Sequence, residues 1–174
     1  MTPPRTFPFL SRRTIDNMFH TQLERFTKRK NPRLKHFDYS LPYWYFITIC
    51  TSEKACIFGA PATPSAFGVI ARDAFYEIPK HFPRVTVDKF VVMPNHIHAI
   101  IAVNQAGTEL PLVVGQYKAF VTKQIHLINP AIKVWQTSFH DHVIRNQADY
   151  LRIWQYIDTN PLKWEEDCFF CAIK

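Results

Sequence analysis

The chain has 174 residues, with 21 Lys and Arg against 14 Asp and Glu, a formal charge of +7. That length suits one compact domain, and 47% hydrophobic residues supply a core and exclude general disorder. Four Gly, 13 Pro and an aromatic set of 15 Phe, 7 Tyr and 4 Trp exclude low-complexity or linker-like sequence. No apolar run is long enough to span a bilayer, and the basic N-terminus lacks the apolar stretch and cleavage site of a signal peptide. The expected location is the cytoplasm. Basic charge combined with many aromatics points to a polyanionic partner, most simply nucleic acid.

Residues 1–40 form a basic extension, and 41–174 read as a single domain. Within the extension, Ile15, Met18, Phe19, Leu23 and Phe26 recur at helical spacing and predict a helix over 14–29. Lys28, Arg29, Lys30 and Arg33 then cluster, either as a solvated arm or as a phosphate-contacting segment. The first strand is predicted over 43–50, rich in aromatic and β-branched types. Prolines at 61 and 64 break the chain, and a helix follows over 65–80, with Phe67, Ile70, Ala71, Ala74, Phe75 and Ile78 at 3-4 spacing.

Strands over 85–93 and 96–103 flank the turn dipeptide Pro94-Asn95 and predict an antiparallel hairpin. A helix over 110–127 carries Val113, Tyr117, Phe120, Val121 and Ile125 as an apolar stripe, and a short strand is expected over 139–145. Asn146, with Asp149 three residues on, resembles a capping box opening a last helix. That helix stops near Thr159, because Asn160 precedes Pro161. The order β-α-β-β-α-β-α is α+β and ferredoxin-like: a βαββαβ antiparallel sheet with an added C-terminal helix. Cys50, Cys56, Cys168 and Cys171 are too few and too uneven for a disulfide framework. Cys168-Phe-Phe-Cys171 lacks a second pair, and is expected to hold thiols packed in an apolar tail rather than zinc.

His96-Ile97-His98 is the sharpest chemical feature. Strand residues two apart share a face, so both imidazoles point together and could offer nitrogen lone pairs to a divalent ion. The plain alternative is two histidines on a partly exposed sheet face. His140-Asp141-His142 repeats the spacing around a charged residue, so its opposite face is not obviously core; it ranks lower, with His142 a candidate second-layer group near the site. On the last helix, Arg152, Tyr156 and Asn160 make one stripe, while Leu151, Trp154 and Ile157 offer apolar surface for docking. A tyrosine one turn from a carboxamide, after a strand-borne His pair in a basic domain, suits metal-assisted phosphoryl transfer.

The sequence resembles the REP-associated tyrosine transposases of the single-tyrosine HUH class. The resemblance rests on Val92-Met93-Pro94-Asn95-His96-Ile97-His98-Ala99-Ile100-Ile101, Gly115-Gln116-Tyr117-Lys118, Trp135-Gln136, His142-Val143-Ile144-Arg145-Asn146, Asp149-Tyr150 and Tyr156-Ile157-Asp158-Thr159-Asn160-Pro161. It implies that His96 and His98 bind the metal, Mg2+ or Mn2+, with Asn160 as third ligand and Tyr156 as nucleophile. It also implies a substrate of single-stranded or hairpin DNA, cleaved and rejoined through a 5′-phosphotyrosine. Tyr117 and Tyr150 fall in matching blocks, away from the nucleophile's place. Arg29, Lys30, Arg33, Lys118, Arg145 and Arg152 are the candidate DNA contacts. The resemblance leaves monomer and homodimer both open. Three rival readings stand beside it: a non-catalytic ferredoxin-like nucleic-acid-binding protein, a replication-initiator or relaxase-type nuclease, and a structural zinc protein built on Cys168 and Cys171.

Overall fold

The computed structural model describes residues 37–171. The expected helix over 14–29 and the cluster of Arg29, Lys30 and Arg33 lie outside them. β1 (Trp44–Cys50) is buried at every position after its first. A strand covered on both faces has no reason to alternate polar and apolar residues, which explains its continuous aromatic and β-branched sequence. α1 (Ala66–His81) follows, N-capped by Ser65, whose hydroxyl accepts from the Gly68 amide at 3.2 Å. Next come β2 (Val85–Met93), β3 (His96–Val103), α2 (Leu110–His126), β4 (His140–Ile144) and α3 (Gln147–Thr159). A 3-10 stretch over Asn160–Glu166 continues from α3.

The four strands lie in the order β2-β3-β1-β4, each neighbour antiparallel. This is the expected ferredoxin-like sheet with its added helix. Alternation sends Tyr45, Ile47, Ile49, Ile97, Ala99 and Ile101 to one face, where they pack with Ala71, Phe75 and Ile78 of α1 and Val113, Tyr117 and Val121 of α2. Phe46, Ile100 and Ile144 point the other way, against Ile153 and Ile157 of α3. Burying two isoleucines contributes about 1.5–3 kcal/mol each, which holds α3 on the sheet. Phe37 and Tyr39, ahead of β1, pack into the α1/α2 side of the core.

Several sequence expectations are corrected here. Of the expected docking set on α3, Ile157 is buried against the sheet together with Ile153, Trp154 meets β2 through Lys89, whose Nζ lies 3.9 Å from its ring centroid, and Leu151 is exposed. Phe120 is likewise exposed, although the rest of its α2 stripe is buried. The face behind His140 and His142 is core after all: Asp141 is buried, and Tyr39 Oη donates to its carboxylate at 2.6 Å. The capping box at α3 is half made. Asn146 Oδ1 accepts from the Asp149 amide at 2.9 Å, but the Asp149 carboxylate turns to His142 and Arg152. Cys171 is not a packed thiol, since it is disulfide-bonded to Cys56, while Cys50 and Cys168 are free.

Candidate active site

β3 delivers His96 and His98 to the α3 side of the sheet, while Ile97 enters the opposite core. The pair is not partly exposed, as a bare sheet face would leave it; the side chains of both are essentially buried, at 0% and 1% exposure. The cover comes from α3 and the segment after it. The Tyr156 ring centroid lies 5.1 Å from that of His98, and Phe169 lies 4.6 Å from His96, with Trp164 beyond at 6.1 Å.

Each imidazole is anchored through Nδ1. Asn95 Oδ1 is 2.9 Å from His96 Nδ1, and Thr48 Oγ1 on the neighbouring strand is 2.9 Å from His98 Nδ1. Both rings therefore turn Nε2 toward one small space. There, His98 Nε2 is 3.1 Å from Tyr156 Oη, and His96 Nε2 is 4.0 Å from Asp167 Oδ2. Asp167 Oδ2 accepts from Asn160 Nδ2 at 2.7 Å and lies 3.5 Å from Tyr156 Oη, while its Oδ1 accepts from the Phe169 amide at 2.7 Å. Asn160 and Tyr156 share this space because one helical turn separates them.

Burial, with Lys54 adding to it, depresses the His96 imidazole to about 3, and burial followed by the neighbouring His96 holds His98 well below its ordinary value. Both rings are neutral near pH 7 and keep a lone pair for a metal. Burial, then the Asp167 carboxylate and Cys168, push the Tyr156 phenol well above its ordinary value. Its ionisation therefore needs nearby positive charge.

A divalent ion fits these residues. Among the described residues, His96 Nε2 and Asn160 Oδ1 are buried and find no hydrogen-bond partner, an arrangement that costs free energy unless something binds there. Ligand atoms of His96, His98 and Asp167 lie within 4.8 Å of one another, close to the separations of up to about 4.2 Å expected around one ion with bonds of 2.0–2.1 Å. Two imidazoles and a carboxylate can hold a metal ion.

Among the other predicted residues, His142 Nε2 meets Asp149 Oδ2 at 2.6 Å, and Arg152 meets the same carboxylate at 2.5 Å. Lys118 Nζ donates to the carbonyls of Gln136 and Thr137 at 2.6 and 3.1 Å, tying α2 to the loop before β4. Arg145 is exposed just after β4. Tyr117 packs on Phe75 and donates to the Ala71 carbonyl at 2.8 Å; Tyr150 donates to Asp88 at 2.8 Å. Sequence reasoning missed Asp167, Asn95 and Thr48. Of these, only Asn95, directly before the His pair, carried a usable signal.

The fold is that of the REP-associated tyrosine transposases. The solved structure of a REP-associated tyrosine transposase bound to a REP hairpin matches with a TM-score of 0.56 at 21% identity, over 75% of this chain and 74% of that one. The REP-associated tyrosine transposase of Escherichia coli K12 is 31% identical over 77 residues, 44% of each chain. An uncharacterised protein of Haemophilus influenzae is 34% identical over 164 residues, covering 80% of this chain and 91% of that protein. The chain belongs to the same family as this Haemophilus protein. No family model matches it. Among the described residues, no helix is long and apolar enough to cross a membrane.

Proposed function

We propose that this protein is a metal-dependent transposase that cleaves and rejoins single-stranded DNA beside a hairpin, acting in the cytoplasm through one catalytic domain (41–174) and a basic DNA-binding extension (1–40). The observation that carries this reading is the Tyr156 hydroxyl, 3.1 Å from Nε2 of a buried histidine whose neighbour, His96, has an Nε2 with no hydrogen-bond partner among the described residues. A helix-borne phenol against a buried pair of imidazoles has little structural purpose, since a phenylalanine would fill the space without burying polar atoms.

His96, His98 and Asn160, with the Asp167 carboxylate alongside them, would hold Mg2+ or Mn2+, which would supply Lewis-acid stabilisation of charge developing on the scissile phosphate. Tyr156 Oη attacks the phosphorus in line. The new P–O bond makes a 5′-phosphotyrosine, and the broken one leaves a 3′-hydroxyl that can later reverse the step. His142, hydrogen-bonded to Asp149, would act as a second-layer group at the α3 side of β4. Arg29, Lys30 and Arg33 of the extension, with Lys118, Arg145 and Arg152, are the proposed phosphate contacts, and exposed aromatics offer stacking for unpaired bases. Because the His pair is buried beneath α3 and the chain after it, substrate entry would require part of that cover to move.

The experiment is direct. The full chain is incubated with Mn2+ and end-labelled hairpin DNA carrying single-stranded flanks, then run on a denaturing gel. A DNA–protein adduct that survives denaturation is expected. Binding without any adduct, across Mg2+ and Mn2+, contradicts the proposal.

A further inference from the structure

Asn95 occupies the tight turn between β2 and β3, where side chains are usually solvated, yet it is fully buried. Its carboxamide is engaged at both ends. Nδ2 donates to the carbonyls of Lys54 at 3.1 Å and Phe169 at 2.7 Å, and Oδ1 lies 2.9 Å from His96 Nδ1. The two carbonyls fix which end of the amide is nitrogen, because a carbonyl oxygen only accepts. The end facing His96 must then be oxygen. An amide oxygen also only accepts, so His96 Nδ1 must carry the ring proton and Nε2 must be the bare lone pair. That is the nitrogen turned toward Asp167.

We propose that Asn95 is a positioning residue that holds His96 in its Nδ1–H tautomer and so presents Nε2 for metal binding. The inference rests on the metal-binding reading given under Proposed function. His98 differs. Its Nδ1 partner, Thr48, has a hydroxyl that can donate or accept, so it orients the ring without dictating the tautomer. Partners of this kind, lying behind a ligand, typically govern metal affinity by about 10- to 100-fold when removed.

The test uses the intact chain, with histidines labelled with 15N, and compares wild type, Asn95→Ala and Asn95→Asp. Long-range 1H–15N correlation without metal reads the tautomer of each histidine, and calorimetry with Mn2+ reads affinity. In the wild type His96 is expected as Nδ1–H. Asn95→Ala is expected to mix the His96 tautomers, leave His98 unchanged and weaken Mn2+ binding by about 10- to 100-fold. Asn95→Asp keeps an acceptor for Nδ1–H but loses the donors to Lys54 and Phe169. It is expected to keep the tautomer and bind Mn2+ more tightly than the Ala variant, and it decides the question if the Ala variant does not fold.

A His96 that stays Nδ1–H in Asn95→Ala overturns the proposal. So does equal loss of affinity in both variants, which would make Asn95 only a brace for the Lys54 and Phe169 backbone. A wild type that binds no Mn2+ overturns the metal reading, while the tautomer measurement still decides what Asn95 does to His96.

Discussion

Replacing Asp167 with asparagine separates the stability of the site from its ability to bind metal. The Asp167 side chain is 1% exposed, and among the described residues no Lys or Arg lies within ion-pair distance of it. Its oxygens are satisfied by hydrogen bonds from Asn160 and the Phe169 amide, each worth about 0.5–3 kcal/mol. The substitution Asp167→Asn keeps the side-chain shape and an acceptor for the Phe169 amide. Its new NH2 meets Asn160, whose carboxamide can turn toward it the Oδ1 that has no partner among the described residues. The metal-free protein should therefore lose no more than about 1 kcal/mol. Metal binding should suffer more. Losing one negative donor should weaken Mn2+ at least about tenfold, or about 1.4 kcal/mol. For a chain of this size that removes roughly 3–6 °C from the melting shift given by a fixed Mn2+ excess. Thermal melts in EDTA and in Mn2+ measure both quantities. A variant strongly destabilised in EDTA whose Mn2+ shift matches wild type would refute the reasoning.

Other substitutions probe the frame around the site. A Cβ at Gly68 would lie 2.3 Å from the Phe58 carbonyl oxygen, so Gly68→Ala should cost about 2–3 kcal/mol in denaturant unfolding; a change below about 0.5 kcal/mol, the range of an ordinary surface substitution, contradicts that close approach. Reducing the Cys56–Cys171 disulfide, which spans 115 residues of sequence, should cost about 2–5 kcal/mol, seen as a lower denaturation midpoint with reductant and absent in Cys56→Ser. Burial pushes the Asp149 carboxyl up, but the hydrogen bonds and charges of His142 and Arg152 outweigh it and hold the group below its ordinary value. A depressed carboxyl stabilises above its unfolded pKa and loses that contribution as pH falls through the folded value. Asp149→Asn should accordingly be less stable than wild type at neutral pH, with the difference closing in acid below about pH 4; a gap independent of pH would count against the pairing.

The sheet and its three packed helices were legible because their apolar residues repeat with strand or helix period, and because Pro94-Asn95, Asn146 and Asn160-Pro161 punctuate them. The shared face of His96 and His98 followed from strand geometry alone. Their burial did not. The residues that cover them, Trp164 and Phe169, come from a stretch beyond Pro161 with no regular period, and Asp167 lies in that stretch. On α3 two apolar sets compete at helical spacing, Leu151 with Trp154 and Ile153 with Ile157. Only the tertiary contact with Phe46, Ile100 and Ile144 chooses between them. A buried Asp141 runs against hydropathy, and is explained by a partner, Tyr39, far away in sequence. The pairing of Cys56 with Cys171 is likewise a long-range fact that spacing cannot supply.

The central claim is that Tyr156 is the nucleophile, and one comparison tests it most directly. Tyr156→Phe removes only the hydroxyl, which is 3.1 Å from His98 Nε2, and should change stability by no more than about 1.5 kcal/mol. Wild type and variant are incubated with Mn2+ and hairpin DNA, and any adduct is digested and mapped by mass spectrometry. The account predicts a nucleotide on the peptide containing Tyr156 in the wild type, with no adduct and no cleavage in a variant that still binds DNA. A nucleotide on Tyr117 or Tyr150, or undiminished cleavage by Tyr156→Phe, would contradict it.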